Sequence, residues 1–92
     1  MATMSIETQI QKMQEMRGTL EQFCKLINST MDSVNDNLNR LVMQGFPIEF
    51  AQRYYSQYYM SASQQVDSIV REINTKHYEY IDNIVSDLTK TL

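Results

Sequence analysis

A single interruption near the midpoint constrains this chain more than any other feature. The stretch Leu41-Val42-Met43-Gln44-Gly45-Phe46-Pro47-Ile48-Glu49-Phe50-Ala51 holds the only Pro and one of the two Gly in 92 residues. Gly suits the positive-φ position that commonly ends a helix. Pro at a first helical position lacks only an N–H that would be unpaired there in any case. The flanking pattern reads as helix, so helix 1 is expected over about residues 5–44, the turn over about 45–47 and helix 2 over about 47–90. A connection that short lays two long helices antiparallel. The expected fold is therefore all-α, one antiparallel two-helix hairpin domain over residues 1–92.

In the first half, Ile6, Met13, Leu20, Ile27, Val34 and Leu41 recur every seven residues, with Ile10, Cys24, Met31 and Leu38 interleaved. That is a helix-period seam, broken at Arg17. At 1.5 Å per residue such an arm runs roughly 60 Å. Gly18 falls inside it, away from the seam. In the second half, Ile48, Ala51, Tyr55, Tyr59, Ala62, Val66, Ile69, Ile73, Tyr80, Ile84 and Leu88 fall within one arc at 100° per residue, and His77 falls on the same arc. Those residues are expected to face helix 1.

Each helix of such a hairpin buries only one stripe, while ordering costs on the order of 1.5 kcal/mol per residue. A scaffold of this kind is marginal without further contacts. Apolar residues outside the expected arc supply a candidate partner interface: Met16, Phe23 and Leu26 on helix 1, and Phe50, Tyr54, Tyr58, Ile81 and Val85 on helix 2. Seven Met add side chains that pack against varied surfaces. Pairing with a second hairpin, as a homodimer or heterodimer, would complete a four-helix bundle.

Other chemistries lack their residues. A net charge of −3 with scattered Lys and Arg argues against phosphate backbones and anionic membrane surfaces as partners. No apolar run is long enough for a membrane span, and Met1 to Glu7 shows neither the basic segment nor the apolar core of a cleaved secretory signal. The protein is expected in the cytoplasm, outside the cell by another route, or both. Cys24 is one cysteine without a metal-ligand set and reads as a small buried apolar residue. Antiparallel pairing places it far from His77, the single histidine, so no Cys/His dyad is expected. With no phosphate loop, metal site or catalytic constellation, no enzyme activity and no cofactor are expected. Asn28-Ser29-Thr30 matches a glycosylation acceptor, but mid-helix it reads as chance.

Tyrosines cluster at the start of helix 2, where the i, i+4 spacing pairs Tyr54 with Tyr58 on one face and Tyr55 with Tyr59 on another. The second pair is expected to point into the hairpin. Near the end, Tyr78-Glu79-Tyr80-Ile81-Asp82 sets Tyr78 and Asp82 four apart on one face, outside the expected packing arc.

A hairpin of this length, Gly45-Phe46 at its turn, aromatic residues opening helix 2 and Tyr78-x-x-x-Asp82 near the C-terminus together resemble the WXG-type (Esx-like) proteins of type VII secretion. The resemblance covers the chain as architecture, but only the turn and the five-residue motif as sequence. The family's turn carries Trp-x-Gly, whereas this chain has no Trp and reads Gln44-Gly45-Phe46-Pro47. Phe46 in place of Trp shifts the likeness toward the divergent helical proteins that accompany LXG toxins in Gram-positive bacteria. The resemblance implies pairing with the N-terminal helical domain of such a toxin, Tyr78 and Asp82 as an export signal read by the secretion ATPase, and Gly45, Phe46 and Pro47 as the turn motif. The same residues also fit a cytosolic coiled-coil adaptor, a chaperone of another secretion system or a phage structural protein, in which Tyr78 packs in the ordinary way.

Overall fold

The computed structural model describes residues 3–92, and among these every regular element is helical. Helix α1 spans Ile6–Met43. Ser5 caps its start: its Oγ accepts the Thr8 backbone N–H at 3.2 Å, and its carbonyl accepts the Gln9 N–H at 3.0 Å.

The end of α1 is set by backbone chemistry. Gly45 has φ +100°, its N–H donates to the Val42 carbonyl at 3.1 Å, and the Phe46 N–H reaches back to the Leu41 carbonyl at 2.9 Å. This pair of bonds is the Schellman arrangement, which satisfies carbonyls that a helix end otherwise leaves open. Phe46 and Leu41 also line one hollow with Val34, Leu38 and Tyr54, supplying the apolar contact that accompanies such a cap. Pro47, expected as the first helical residue, sits one position earlier. Its φ of −58° is helical, but its ψ of 125° is extended. Its carbonyl already accepts the N–H groups of Phe50 and Ala51, so it caps the helix from outside and Ile48 begins it.

The second helical run comprises α2 (Ile48–Tyr54), a π turn at Tyr55–Tyr59, α3 (Met60–Glu72), a second π turn at Ile73–His77, and α4 (Tyr78–Lys90). Tyr54, Met60, Glu72 and Tyr78 all keep right-handed helical dihedrals, so the backbone continues without a break. At each π turn a bond skips one residue further than usual: Met60 N–H donates to the Tyr55 carbonyl and Tyr78 N–H to the Ile73 carbonyl. Each π turn thus takes up one extra residue, shifting the phase of the helix beyond it by about 100° relative to an uninterrupted α-helix.

Two compact units divide the chain. The turn unit is Cys24–Ile69; the terminal unit is Met1–Phe23 with Val70–Leu92. In the turn unit, Cys24, Ala51 and Val66 are buried, with Ile27, Met31, Val34, Leu38 and Tyr59 half-buried around them. Cys24 thus behaves as the small buried apolar residue expected of it. In the terminal unit, Ile73 and Ile81 are buried, with Ile10, Met13, Leu20, Val70, Tyr78, Ile84 and Leu88 half-buried.

The inward face of the second run therefore departs from constant 100° spacing. Ile81, expected on an outer flank, is 3% exposed, whereas Tyr80, expected inside, is 64% exposed. His77 is likewise exposed and Tyr78 half-buried in its stead. The π turn at Ile73–His77 accounts for all of these: one extra residue hands the inward positions of His77 and Tyr80 to Tyr78 and Ile81, while Ile84 and Leu88, expected inside, are half-buried. Val85, the other outer-flank candidate on α4, is half-buried for the same reason. Ala62 and Ile69, expected inside, are exposed after the first π turn, where Ser63 and Val70 turn inward beside Val66, which is buried as expected. Ile48 and Tyr55 precede that shift and are exposed because they flank an open groove of about 680 Å³ shared with Asn35, Leu38, Val42 and Met43. Leu41 is exposed beside the turn.

Candidate interaction site

The turn unit carries a row of aromatic side chains along one flank. Phe46 and Phe50 meet edge to face with ring centres 6.0 Å apart, and Tyr54 and Tyr58 stack with the same 6.0 Å separation. Phe50, Tyr54 and Tyr58 fall at i and i+4 along one side of the helix, and Phe46 joins the row from the turn that precedes it. All four rings keep a substantial exposed surface, from 36% at Phe46 to 63% at Tyr58, and Leu41 extends the patch onto α1. The Arg53 guanidinium carbon lies 5.9 Å from the Phe50 ring centre, at the margin of cation–π range. Leu26, on α1, is also exposed.

The companion pair, Tyr55 and Tyr59, stacks at 5.1 Å. Tyr59 is half-buried, and its hydroxyl donates to the Met31 carbonyl of α1 at 3.3 Å, but Tyr55 lies at the rim of the open groove. Desolvation pushes the Tyr59 hydroxyl above its ordinary pKa of 10.0, and the charges of Asp32, Tyr55, Asp36 and Asp67 add to the effect by opposing a phenolate.

In the terminal unit, Met16 and Phe23 are exposed as expected on an outer flank, while Ile81 belongs to the core. Opposite Met16 and Leu20, the displaced His77 and Tyr80 line a shallow hollow with Lys76 and Ile81. Tyr80 was not expected at the surface, and its exposure results from the second π turn.

The Tyr78/Asp82 pair does not stand apart from α1. The guanidinium carbon of Arg17 sits 4.1 Å from the centre of the Tyr78 ring, and its Nε lies 3.3 Å from Asp82 Oδ1. Its Nη1 meets Glu21 Oε1 at 3.2 Å on the same helix. Arg17, the break in the first-half seam, thus meets both Tyr78 and Asp82 from α1. Exposed ion pairs contribute about 0–1 kcal/mol, and stacking on an aromatic face adds a comparable amount. The angular reading missed this because it carried Tyr78 outside the packing arc. Position 17, a charge where the heptad calls for an apolar residue, was the available signal.

Gly18 has no atom within 4 Å of where a Cβ would stand, so no close approach inside the chain explains it. Among the described residues no group of three or more His, Cys, Asp or Glu side chains is placed to hold a metal ion, and no helix is long and apolar enough to cross a membrane. Compared with protein-family models, curated proteins and solved structures, the chain finds no match.

Proposed function

We propose that this chain is a non-catalytic helical interaction protein that binds a second helical protein through its outer apolar flanks. The observation that carries the reading is the exposed row of Phe46, Phe50, Tyr54 and Tyr58 with Leu41, where only five apolar residues are buried among the described residues. A contiguous apolar patch of this kind marks a binding surface more often than it marks ordinary solvent-facing surface. Pairing supplies the burial that two helices alone lack.

Within that reading the protein serves type VII secretion: it pairs with an export partner such as an LXG toxin N-terminal domain, completes a four-helix bundle and contributes to targeting by the secretion ATPase. It acts in the bacterial cytoplasm, leaves without a cleaved signal, or both. The Gly45-Phe46 turn and the Tyr78/Asp82 pair support this assignment by resemblance. Replacing Tyr78 or Asp82 with Ala is expected to stop export of the protein or its partner while the native mass of the co-purified complex is unchanged; unaltered secretion removes the secretion role.

The contact between Arg17 and Tyr78 favours a second reading, in which Tyr78 is a packing residue of a cytosolic adaptor, chaperone or structural protein. Arg17→Gln separates the two. Under the first reading it lowers export without a matching loss of folding, because the receptor meets Arg17 together with the aromatic/acidic pair. If Tyr78 serves only packing, Arg17→Gln and Tyr78→Ala weaken folding in parallel and neither acts selectively on export.

A further inference from the structure

We infer that the open groove of the turn unit beside Ala51 binds an extended, uncharged peptide segment, gripping its main chain with the side-chain amides of Asn35, Asn39 and Gln52 and seating one of its apolar side chains over Ala51. The site is separate from the aromatic row. None of Phe46, Phe50, Tyr54, Tyr58 and Leu41 lines the groove. At 100° per residue its α2 wall is centred about 130° round the helix from Phe50 and Tyr54.

Each wall of the groove is one helical stripe. Asn35, Leu38, Asn39 and Val42 form the α1 side, at the i, i+3, i+4, i+7 spacing that puts four side chains on one face. Ile48, Ala51, Gln52 and Tyr55 repeat that spacing on the other side. Facing stripes of this kind ordinarily interdigitate, but here the one fully buried wall residue is Ala51, 6% exposed and the smallest of the eight, and an open volume of about 680 Å³ remains. A side chain brought by a partner completes the layer that the methyl group leaves unfilled.

The polar groups of the lining identify what carries that side chain. Among the described residues no charged side chain lines the groove, so nothing there selects an ion. Nor do the amides of Asn35, Asn39 and Gln52 have a hydrogen-bond partner among the described residues. A carboxamide presents a donor and an acceptor side by side, which matches the acceptor and donor of a peptide main chain. A helix spends those main-chain groups internally and a hydrocarbon ligand has none, whereas an extended segment leaves them free. The spacing agrees: Asn35 and Asn39, four residues apart, stand about 6 Å apart along α1, and residues two apart in an extended segment stand about 6.2–6.8 Å apart. Successive amides of α1 can therefore meet alternate residues of one extended chain.

The test titrates the full chain with the peptide Ac-Ser-Pro-Ser-Leu-Ser-Pro-Ser-NH2, which is uncharged, held extended by its prolines and equipped with one Leu. Binding is read from the side-chain NH2 signals of Asn35, Asn39 and Gln52 in nitrogen-15 spectra, which should shift and saturate. Asn39→Leu and Gln52→Met keep the apolar area at two exposed positions and remove the hydrogen bonds; each should raise the dissociation constant about 10-fold with far-ultraviolet circular dichroism unchanged. Phe50→Glu should leave peptide binding as it is, so loss of a helical partner on Phe50→Glu and loss of the peptide on Asn39→Leu report on two different surfaces. No saturable shift at millimolar peptide overturns the inference, as does peptide binding indifferent to both amide substitutions. Preference for an uncharged, Ala-rich helical peptide carrying one Leu overturns it too, and so does entry of the neutral dye Nile red where the peptide is excluded, which would make the groove a plain apolar pocket.

Discussion

The second π turn makes an unusual claim about deletions. Because Ile73–His77 holds one residue more than an α-helical turn needs, removing one residue there should convert it to ordinary α-helix and leave the inward face intact. With Asn74 deleted, Val70, Ile73, Tyr78 and Ile81 fall at α-helical spacing of three, four and three, so the same side chains face inward. Asn74 is exposed, and the cost should not exceed about 1 kcal/mol. Deleting Glu72, two positions earlier, has a different outcome. If the π turn then relaxes to keep Tyr78 and Ile81 inward, Ile73 rotates off the seam and Asn74 takes its place. Ile73 is 5% exposed, so losing its burial costs about 2–5 kcal/mol, and a buried amide without a partner adds to that. Glu72 itself gives up only an exposed 3.9 Å contact with Lys76. Thermal and urea melts monitored by circular dichroism compare the two. At about 4–8 °C per kcal/mol for a domain of this size, the midpoints should separate by about 4 °C at the least, and by 10 °C or more toward the upper end of the Ile73 cost. Equal destabilisation by both deletions would refute the phase argument, as would a Glu72 deletion that melts like the parent.

The two glycines should respond with opposite signs. Gly45→Ala forces a Cβ into φ +100° and should cost about 1–2 kcal/mol although nothing crowds it, whereas Gly18→Ala, in open space within α1, should gain about 1 kcal/mol in the same melts. Tyr59 should ionise at higher pH than an unperturbed tyrosine when tyrosinate absorbance is measured in single Tyr→Phe variants. Its raised folded-state pKa means the folded chain holds that proton more tightly than the unfolded chain. Its stabilising contribution is therefore complete below about pH 10 and is lost as pH rises through the higher folded value; Tyr59→Phe should flatten that alkaline loss. Double-mutant cycles between Arg17→Gln and Asp82→Asn should give a coupling of at most about 1 kcal/mol that shrinks in high salt, and a salt-independent coupling would contradict a partly exposed ion pair.

Sequence alone made legible those features that local chemistry decides. Gly45 and Pro47 act on their own backbone, so the fold-back was legible to within a residue, and the heptad of α1 placed Ile10, Met13, Leu20, Cys24, Ile27, Met31 and Leu38 on the face that is buried or half-buried. The second run was legible as helix but not in its phase, since a π turn changes the hydrogen-bonding pattern while every junction residue keeps helical dihedrals. Propensity carries no signal for that. Spacing carries some: after Ile73 the positions an α-helix would turn inward are Lys76 and His77, and the next apolar residues are Tyr78 and Ile81. A five-residue step from Ile73 to Tyr78 resolves the conflict. Around Tyr54, Tyr55, Tyr58 and Tyr59 no such conflict exists, because an aromatic ring is available for either phase; in the structure it is the Tyr59 hydroxyl that bonds to the Met31 carbonyl.

The same one-residue shift changes what the Tyr78/Asp82 pair can be. At constant helical spacing the two share a face turned away from α1, and Arg17 is merely a fault in an apolar seam. Once the π turn rotates α4, the fault and the pair meet: the guanidinium lies on the ring and reaches the carboxylate, so a charge is accommodated where the heptad asks for a hydrocarbon. Any protein that recognises Tyr78 and Asp82 on the folded chain therefore encounters three side chains from two helices. Recognition of such a composite depends on the terminal unit being paired, which a linear five-residue motif in an unpaired helix would not require. A peptide spanning α4 alone should then compete poorly for a receptor that binds the intact protein, and a peptide competing as well as the intact chain would mean that Arg17 serves packing alone.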